Sequence, residues 1–267
     1  MRDAAGSILR HAATAACLLL LARPAGAQPP EPNPPETAEF LSRYDFHLSI
    51  AGLAEDDDRF SWVTHFGGEF DFVDYVRGRA IVALDYQAFL GKELRPFDPN
   101  QGNYGLSVAG SWRFGRTEVL GVFYHMSRHL SDRPKYVHIA WNDAQVRAVR
   151  QFNVRSATVD VRAQAGKIVA RGSVDYEWSG ELDALARRQL SPRVGLFGRA
   201  YGQLIGVDPD IYGRDTQHGG RLEAGVRFRG NAGSLEVFGG YEQMIDADPF
   251  DLQPRHWAFA GIRLVSN

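Results

Sequence analysis

Arg221-Leu222-Glu223-Ala224-Gly225-Val226-Arg227-Phe228 sorts its residues by parity. Leu222, Ala224, Val226 and Phe228 are apolar, while Arg221, Glu223 and Arg227 are charged and Gly225 carries no side chain. A period of two places each set on one face of a β-strand. The same alternation recurs on both sides of this stretch. Toward the C-terminus, Leu235, Val237, Gly239 and Tyr241 alternate with Ser234, Glu236, Phe238 and Glu242. Toward the N-terminus it returns at Ala157 to Gln164, Tyr104 to Arg113, Arg79 to Ala88 and Tyr44 to Ala51. Most of these stretches run to roughly ten residues, the length a tilted strand needs to cross the hydrocarbon layer, whereas strands of soluble proteins cluster near five or six.

The N-terminus reads as a secretory signal peptide over residues 1–27. Arg2 and Arg10 make a basic start, Ala12 to Ala22 an apolar run containing four consecutive leucines, and Ala25-Gly26-Ala27 a small-residue cleavage site. Cleavage there removes Cys17, the chain's only cysteine, so disulfide and thiolate chemistry are excluded from the mature protein. The formal charge of −2 becomes more negative as Arg2, Arg10, Arg23 and Asp3 leave together, which argues against nucleic acid as a partner. Residues 28–43 form a linker on the periplasmic side. Its first part, Gln28 to Glu36, is proline-rich and extended, and Thr37 to Arg43 has room for one helical turn. After residue 27 no apolar stretch reaches the length of a membrane-spanning helix. A membrane protein with this pattern must cross with strands, in which only alternate residues need be apolar.

Residues 44–267 are therefore read as an all-β fold, a single antiparallel up-and-down transmembrane β-barrel of about twelve strands, with ten to fourteen compatible with the pattern. The expected strands cover about 44–54, 60–73, 78–91, 103–114, 118–128, 136–150, 155–165, 168–179, 193–206, 219–229, 234–245 and 256–265. Short links follow most even strands, and longer acidic links follow most odd ones. This sets both termini in the periplasm and the long loops outside. Gly166-Lys167 and Gly180 to Pro192 break the rule, one too short for an outer loop and one too long for a periplasmic turn. Aromatic residues near strand ends, among them Tyr44, Trp62, Tyr104, Trp112, Trp141, Trp178, Tyr201 and Trp257, fit girdles at the two membrane surfaces. The polar face mixes signs, with Arg79 and Asp85, Asp160 and Arg162, Arg171 and Asp175, and Arg221, Glu223, Arg227 and Glu236. Such charges must pair or meet water, which favours a narrow, filled interior over a wide pore. The expected location is the bacterial outer membrane, with its lipid and lipopolysaccharide as partners, reached through the general secretion and barrel-assembly machinery.

One strand carries candidate chemistry: Phe123-Tyr124-His125-Met126-Ser127-Arg128-His129-Leu130-Ser131-Asp132. His125, Ser127 and His129 share one face at its outer end. A hairpin centred near residue 131 or 132 sets His125 opposite His138. Either face, lipid or lumen, is open to the histidine–serine pair. His125, His129 and His138, with Asp132, are also a candidate set of ligands for a divalent ion, since neutral imidazole is a common metal ligand. The acidic runs Glu55-Asp56-Asp57-Asp58, Asp208-Pro209-Asp210 and Asp246-Ala247-Asp248 are candidates for Ca²⁺ or Mg²⁺ beside lipopolysaccharide phosphates. No other cofactor is expected, for phosphate-binding glycine loops and zinc-protease motifs are absent.

His-x-Ser at the outer end of a barrel strand resembles two enzyme families of the outer membrane, phospholipase A and the lipid A deacylase barrels. The resemblance covers His125 and Ser127, and both families usually follow the serine with asparagine where this chain has Arg128. It implies a serine esterase acting on membrane lipid, with His125 as base, Ser127 as nucleophile and a third group orienting the histidine. Asn142 is the phospholipase-like third member, though the expected register puts it deeper in the membrane than His125, and Asp132 and His138 are alternatives. Beside this reading stand a non-enzymatic barrel with a structural or narrow-channel role, which the residues by themselves favour, and a soluble periplasmic binding barrel.

Overall fold

A computed structural model describes residues 36–131 and 137–266. The expected signal peptide and residues 28–35 of the linker lie outside these residues, as does Asp132. Twelve strands follow one another: β1 (Glu39–Ala54), β2 (Trp62–Asp74), β3 (Arg79–Gly91), β4 (Asp98–Phe114), β5 (Thr117–Leu130), β6 (Ile139–Val154), β7 (Ala157–Gly172), β8 (Tyr176–Gln189), β9 (Val194–Val207), β10 (Gln217–Arg229), β11 (Ser234–Met244) and β12 (Arg255–Val265). Each pairs antiparallel with its sequence neighbours, and β1 closes on β12, for example through Ile50 with Ile262. A closed sheet leaves no unpaired edge, the condition for a sheet in lipid.

Even strands end in connections of two to four residues, and odd strands in six to ten except after β7. Gly115 lies in one of the two-residue turns, between β4 and β5, with φ of 57°, a left-handed conformation that favours glycine. The two exceptions in the expected loop pattern prove to be strand. β7 runs through Gly166-Lys167 to Gly172, and β8 through Gly180 to Gln189. Gly166 signals close approach rather than a turn, because a Cβ there would collide with the side chains of Asp143 and Gln145 on β6. At the N-terminal end, β1 starts at Glu39, so the stretch expected to make a helical turn is mostly strand, with a bulge between Phe40 and Arg43. One short helix, α1 (Pro209–Tyr212), sits in the connection from β9 to β10, capped by the Asp208 side chain.

The two faces separate as the parity of the sequence demands. Leu84, Val108, Phe123, Val146, Leu182, Leu222, Val237 and Ile262 stand on the outer wall with nothing packed over them. A water-soluble barrel would not carry so continuous an apolar exterior, which excludes the periplasmic alternative. Trp62, Tyr86, Tyr104, Trp178 and Tyr241 lie at the outer ends of these strands, and Tyr44, Trp112 and Phe152 at the periplasmic ends. Three aromatics expected in the girdles point inward instead. Trp141 and Trp257 are buried, and Tyr201 pairs across the lumen face with Asp183.

Inside, carboxylates meet guanidinium groups. Arg79 bridges Asp71 at 2.8 Å and Glu118 at 2.7 Å, and Arg263 bridges Glu223 at 2.7 Å and Glu236 at 2.8 Å. Asp183 holds Arg162 and Arg199. The mixed-charge interior is as expected, but several partners differ. Arg79 pairs with Asp71 and Glu118 rather than Asp85, Asp160 pairs with Arg187, and Asp175 pairs with Arg214. Toward the outside, apolar clusters close the mouth. Phe60 of the first outer loop stacks on Trp257 and meets Phe89 edge-on, and Trp141, Ile168, Tyr176 and Ile205 form a second cluster.

The first outer loop also holds a pH-sensitive contact. Asp57 accepts from the Arg59 guanidinium at 2.7 Å, and Arg255 lies 2.8 Å away. The hydrogen bond from Arg59, opposed by partial burial, lowers the Asp57 pKa from 3.8 to about 2. A carboxyl whose folded pKa is depressed contributes its full stabilisation above the unfolded value and loses it as pH falls through the folded one. The contribution, about 1–2 kcal/mol, is therefore expected to vanish between about pH 4 and pH 2. Amide protection across residues 55–61, taken relative to the intrinsic exchange rate at each pH, should fall over that range in the wild type. In Asp57→Asn it should start lower and change little with pH.

Candidate functional site

β5 shows which way the histidine–serine pair faces. Leu120 and Val122 are buried inside the barrel, whereas Phe123 stands on the lipid side, so His125, Ser127 and His129 follow Phe123 onto the outer wall. Cross-strand partners agree: Phe123 lies opposite Val108, His125 opposite Leu106 and Ser127 opposite Tyr104, and all three partners are on the lipid face. The site thus sits on the membrane-facing surface, near the outer end of a strand.

The register with β6 differs from expectation. His125 lies opposite Asn142 rather than His138, a displacement of four residues along β6. The consequence is a direct contact, with His125 Nδ1 2.7 Å from Asn142 Oδ1. With the amide oxygen as acceptor, Nδ1 carries the proton and Nε2 is left with a free lone pair, the form needed in a general base. The Ser127 hydroxyl makes its own hydrogen bond with Nε2 of His129, at 3.1 Å, and the His129 ring stands edge-on to Tyr104 with centroids 5.2 Å apart. Ser127 therefore has an imidazole two residues away on either side along its face. One is oriented by Asn142, and the other is in contact in this conformation. The His129 contact was not foreseen from the sequence.

Below the site, toward the periplasm, the wall is hollowed. Gly110 and Gly121 lie opposite each other, and a Cβ on either would meet nothing within 4 Å. The missing side chains leave a groove of about 540 Å³ flanked by Val108, Phe123 and Val146.

No protein-family model and no curated protein matches this sequence. Solved structures do match. Outer membrane phospholipase A from Escherichia coli superposes with a TM-score of 0.50 at 9% identity, over 84% of this chain and 92% of that one. The phospholipase dimer of Salmonella typhi, solved with bound calcium, gives 0.50 at 10% identity over 87% of this chain and 93% of that one. An asparagine-to-alanine active-site mutant of the E. coli enzyme gives 0.50 at 10% identity over 89% and 94%. This is the fold of a bacterial outer-membrane β-barrel.

Within that barrel the other expected sites disperse. His125, His129 and His138 do not bring their nitrogens together. His129 turns to Ser127 and Tyr104, and His138 lies over Gly172 of β7, where a Cβ would come 2.7 Å from its ring. Several acidic loop residues are spent on cations of the chain itself. Asp57 and Asp248 hold Arg59, Asp58 holds Lys92, Asp208 holds Arg171, and Asp246 holds Arg214.

Proposed function

We propose that this barrel is a lipid hydrolase of the outer membrane, a serine esterase working at its own outer wall. The observation that carries the reading is the His125–Asn142 contact at 2.7 Å on the lipid-facing surface, beside Ser127. A purely structural or channel-forming barrel has no use for a polar trio there. Exposing polar groups to hydrocarbon is costly, whereas a hydrolase needs its nucleophile where the ester linkage of a lipid lies. In this reading Asn142 fixes the ring and tautomer of His125. His125 Nε2 takes the Ser127 proton as Oγ attacks the ester carbonyl, then delivers it to the leaving alcohol, and water hydrolyses the acyl-serine. Ser127 reaches His125 by rotating about its Cα–Cβ bond away from His129, consistent with catalytic hydrogen bonds that tighten only with substrate bound. The active-site asparagine named for the E. coli phospholipase lends the trio further support.

The groove below supplies the acyl chain with a seat. Purified protein in detergent is expected to release fatty acid from long-chain phospholipid or from lipid A, assayed with and without calcium because the Salmonella neighbour was solved with it. Gly121→Leu fills open space, so the barrel should fold as before. Its turnover of long-chain substrate should fall about tenfold, with hydrolysis of a short-chain ester little changed, since each buried methylene of the displaced chain contributes about 0.8 kcal/mol. Absence of esterase activity on every lipid class in correctly folded wild-type protein would sink the proposal.

A further inference from the structure

Away from the outer wall, the lumen holds a group of side chains that the proposed chemistry does not use. His47 on β1, Gly67 on β2 and Asp85 on β3 form one cross-strand row, and His65 lies two residues from Gly67 on the same face. One ligand atom each from His47, His65 and Asp85 lies within 4.8 Å of the other two. His47 Nε2 is 2.9 Å from Asp85 Oδ1, and His65 Nδ1 is 3.8 Å from Asp85 Oδ2. We infer that His47, His65 and Asp85 bind a divalent transition-metal ion of the zinc or copper class inside the barrel.

Three observations separate this cluster from the ion pairs around it. Asp71, Glu118, Asp183, Glu223 and Glu236 each face arginine, but Asp85 turns its two oxygens toward two imidazoles. His65 is left without a hydrogen bond. Its Nε2 is buried and unpartnered, and its Nδ1 stands too far from Asp85 to form one. An imidazole held among polar groups without a partner is unused ligand capacity, and a cation shared between one of its ring nitrogens and the carboxylate makes use of it. The third observation is Gly67. A Cβ there would meet the Leu84 carbonyl oxygen at 2.5 Å and both His47 Cε1 and Asp85 Oδ1 at 2.9 Å, so a bare residue lets the strands close up and leaves His47 and Asp85 side by side.

The donor set indicates the ion. Two neutral nitrogens and one carboxylate suit zinc or copper, whereas calcium and magnesium take oxygen shells. In a tetrahedral zinc site with bonds of about 2.0–2.1 Å, donors lie roughly 3.3 Å apart. The spacings of 2.9 and 3.8 Å bracket that value, so small side-chain rotations suffice. The three side chains are 36, 30 and 45% exposed, which leaves an open coordination position for water.

The test uses the full barrel folded in detergent. Calorimetric titration with zinc chloride should show one tight site, weakened at least about tenfold in His65→Ala, His47→Ala and Asp85→Asn. With Cu²⁺ in place of zinc, the paramagnetic resonance spectrum should report two nitrogen ligands in the wild type and one in His65→Ala. Heat-modifiable gel migration checks that each variant is folded, and His65→Gln replaces any alanine variant that is not. Equal zinc affinity in the wild type and the His47→Ala/His65→Ala double variant overturns the inference. So does tight binding that survives that variant and disappears in His129→Ala, since it places the ion on the outer wall. None of these outcomes depends on esterase activity, so the metal site and the hydrolase reading stand or fall separately.

Discussion

Ser127→Ala and His125→Ala are each expected to cut lipid hydrolysis by about a thousandfold or more, and the double variant should be no worse than either single one. The reason is that nucleophile and base act as one unit. A hydroxyl without a base, or a base without a hydroxyl, does the same missing step, and what remains comes from substrate binding alone. Neither change should unfold the barrel, because both side chains lie on the outer wall with no buried partner to orphan. Asn142→Ala should fall between, since His125 keeps its position in the strand but loses the acceptor that fixes its tautomer. His129 sharpens the experiment, because it is the imidazole in contact with Ser127 at 3.1 Å. If His125 is the base, His129→Ala should lower turnover less than tenfold. A thousandfold loss in His129→Ala with a small one in His125→Ala would transfer the base to His129 and leave Asn142 without a role. Release of fatty acid from phospholipid in mixed micelles, with gel migration as the folding control, reads all of these variants.

Much of this was legible because a barrel wall translates parity directly into place. Leu222 to Phe228 needed no tertiary information to be sorted, the count of about twelve strands and the mixed-charge interior followed from the same rule, and loop lengths set which side is outside. What failed to read were features set by pairing between strands. Gly166 resembles a turn in one dimension and is a gap left for Asp143 and Gln145 in three. Trp141 and Trp257 stand at strand ends like girdle residues, yet their parity sends them inward to close the mouth. The His125–Asn142 contact depended on a register that the β5–β6 connection could not supply by counting alone. His47, His65 and Asp85 carried no spacing motif at all, because a row across three strands joins residues whose separation in sequence is set by loop length.

Arg214→Ala should loosen the outer mouth by about 3–5 kcal/mol while leaving the strands paired. Arg214 comes from the connection between β9 and β10 and donates to both oxygens of Asp175 at 2.6 Å and to Asp246 at 2.7 and 2.8 Å. Asp175 precedes β8 and Asp246 follows β11, so one guanidinium ties three outer connections together. Tyr176 donates to Asp246 as well, at 2.7 Å, and Arg128 of β5 reaches its backbone carbonyl. Burial alone would lower the Arg214 pKa, but the two carboxylates outweigh it and raise it above the usual arginine value. Asp175 and Asp246 are 0 and 2% exposed, so removing the cation strands two buried negative charges side by side. That uncompensated charge, more than the lost hydrogen bonds, is the source of the effect. Hydrogen exchange at residues 245–254 should therefore speed up by about two to four orders of magnitude, on the order of what 3–5 kcal/mol of local opening implies. Arg214→Lys should recover only part of the protection, because an ammonium cannot serve two carboxylates bidentately. Adding Asp175→Asn and Asp246→Asn to Arg214→Ala should recover more, since neutral amides can stay buried where paired carboxylates cannot. Failure of that triple variant to regain protection would show that the geometry of the guanidinium, and not the charge it neutralises, holds the mouth closed.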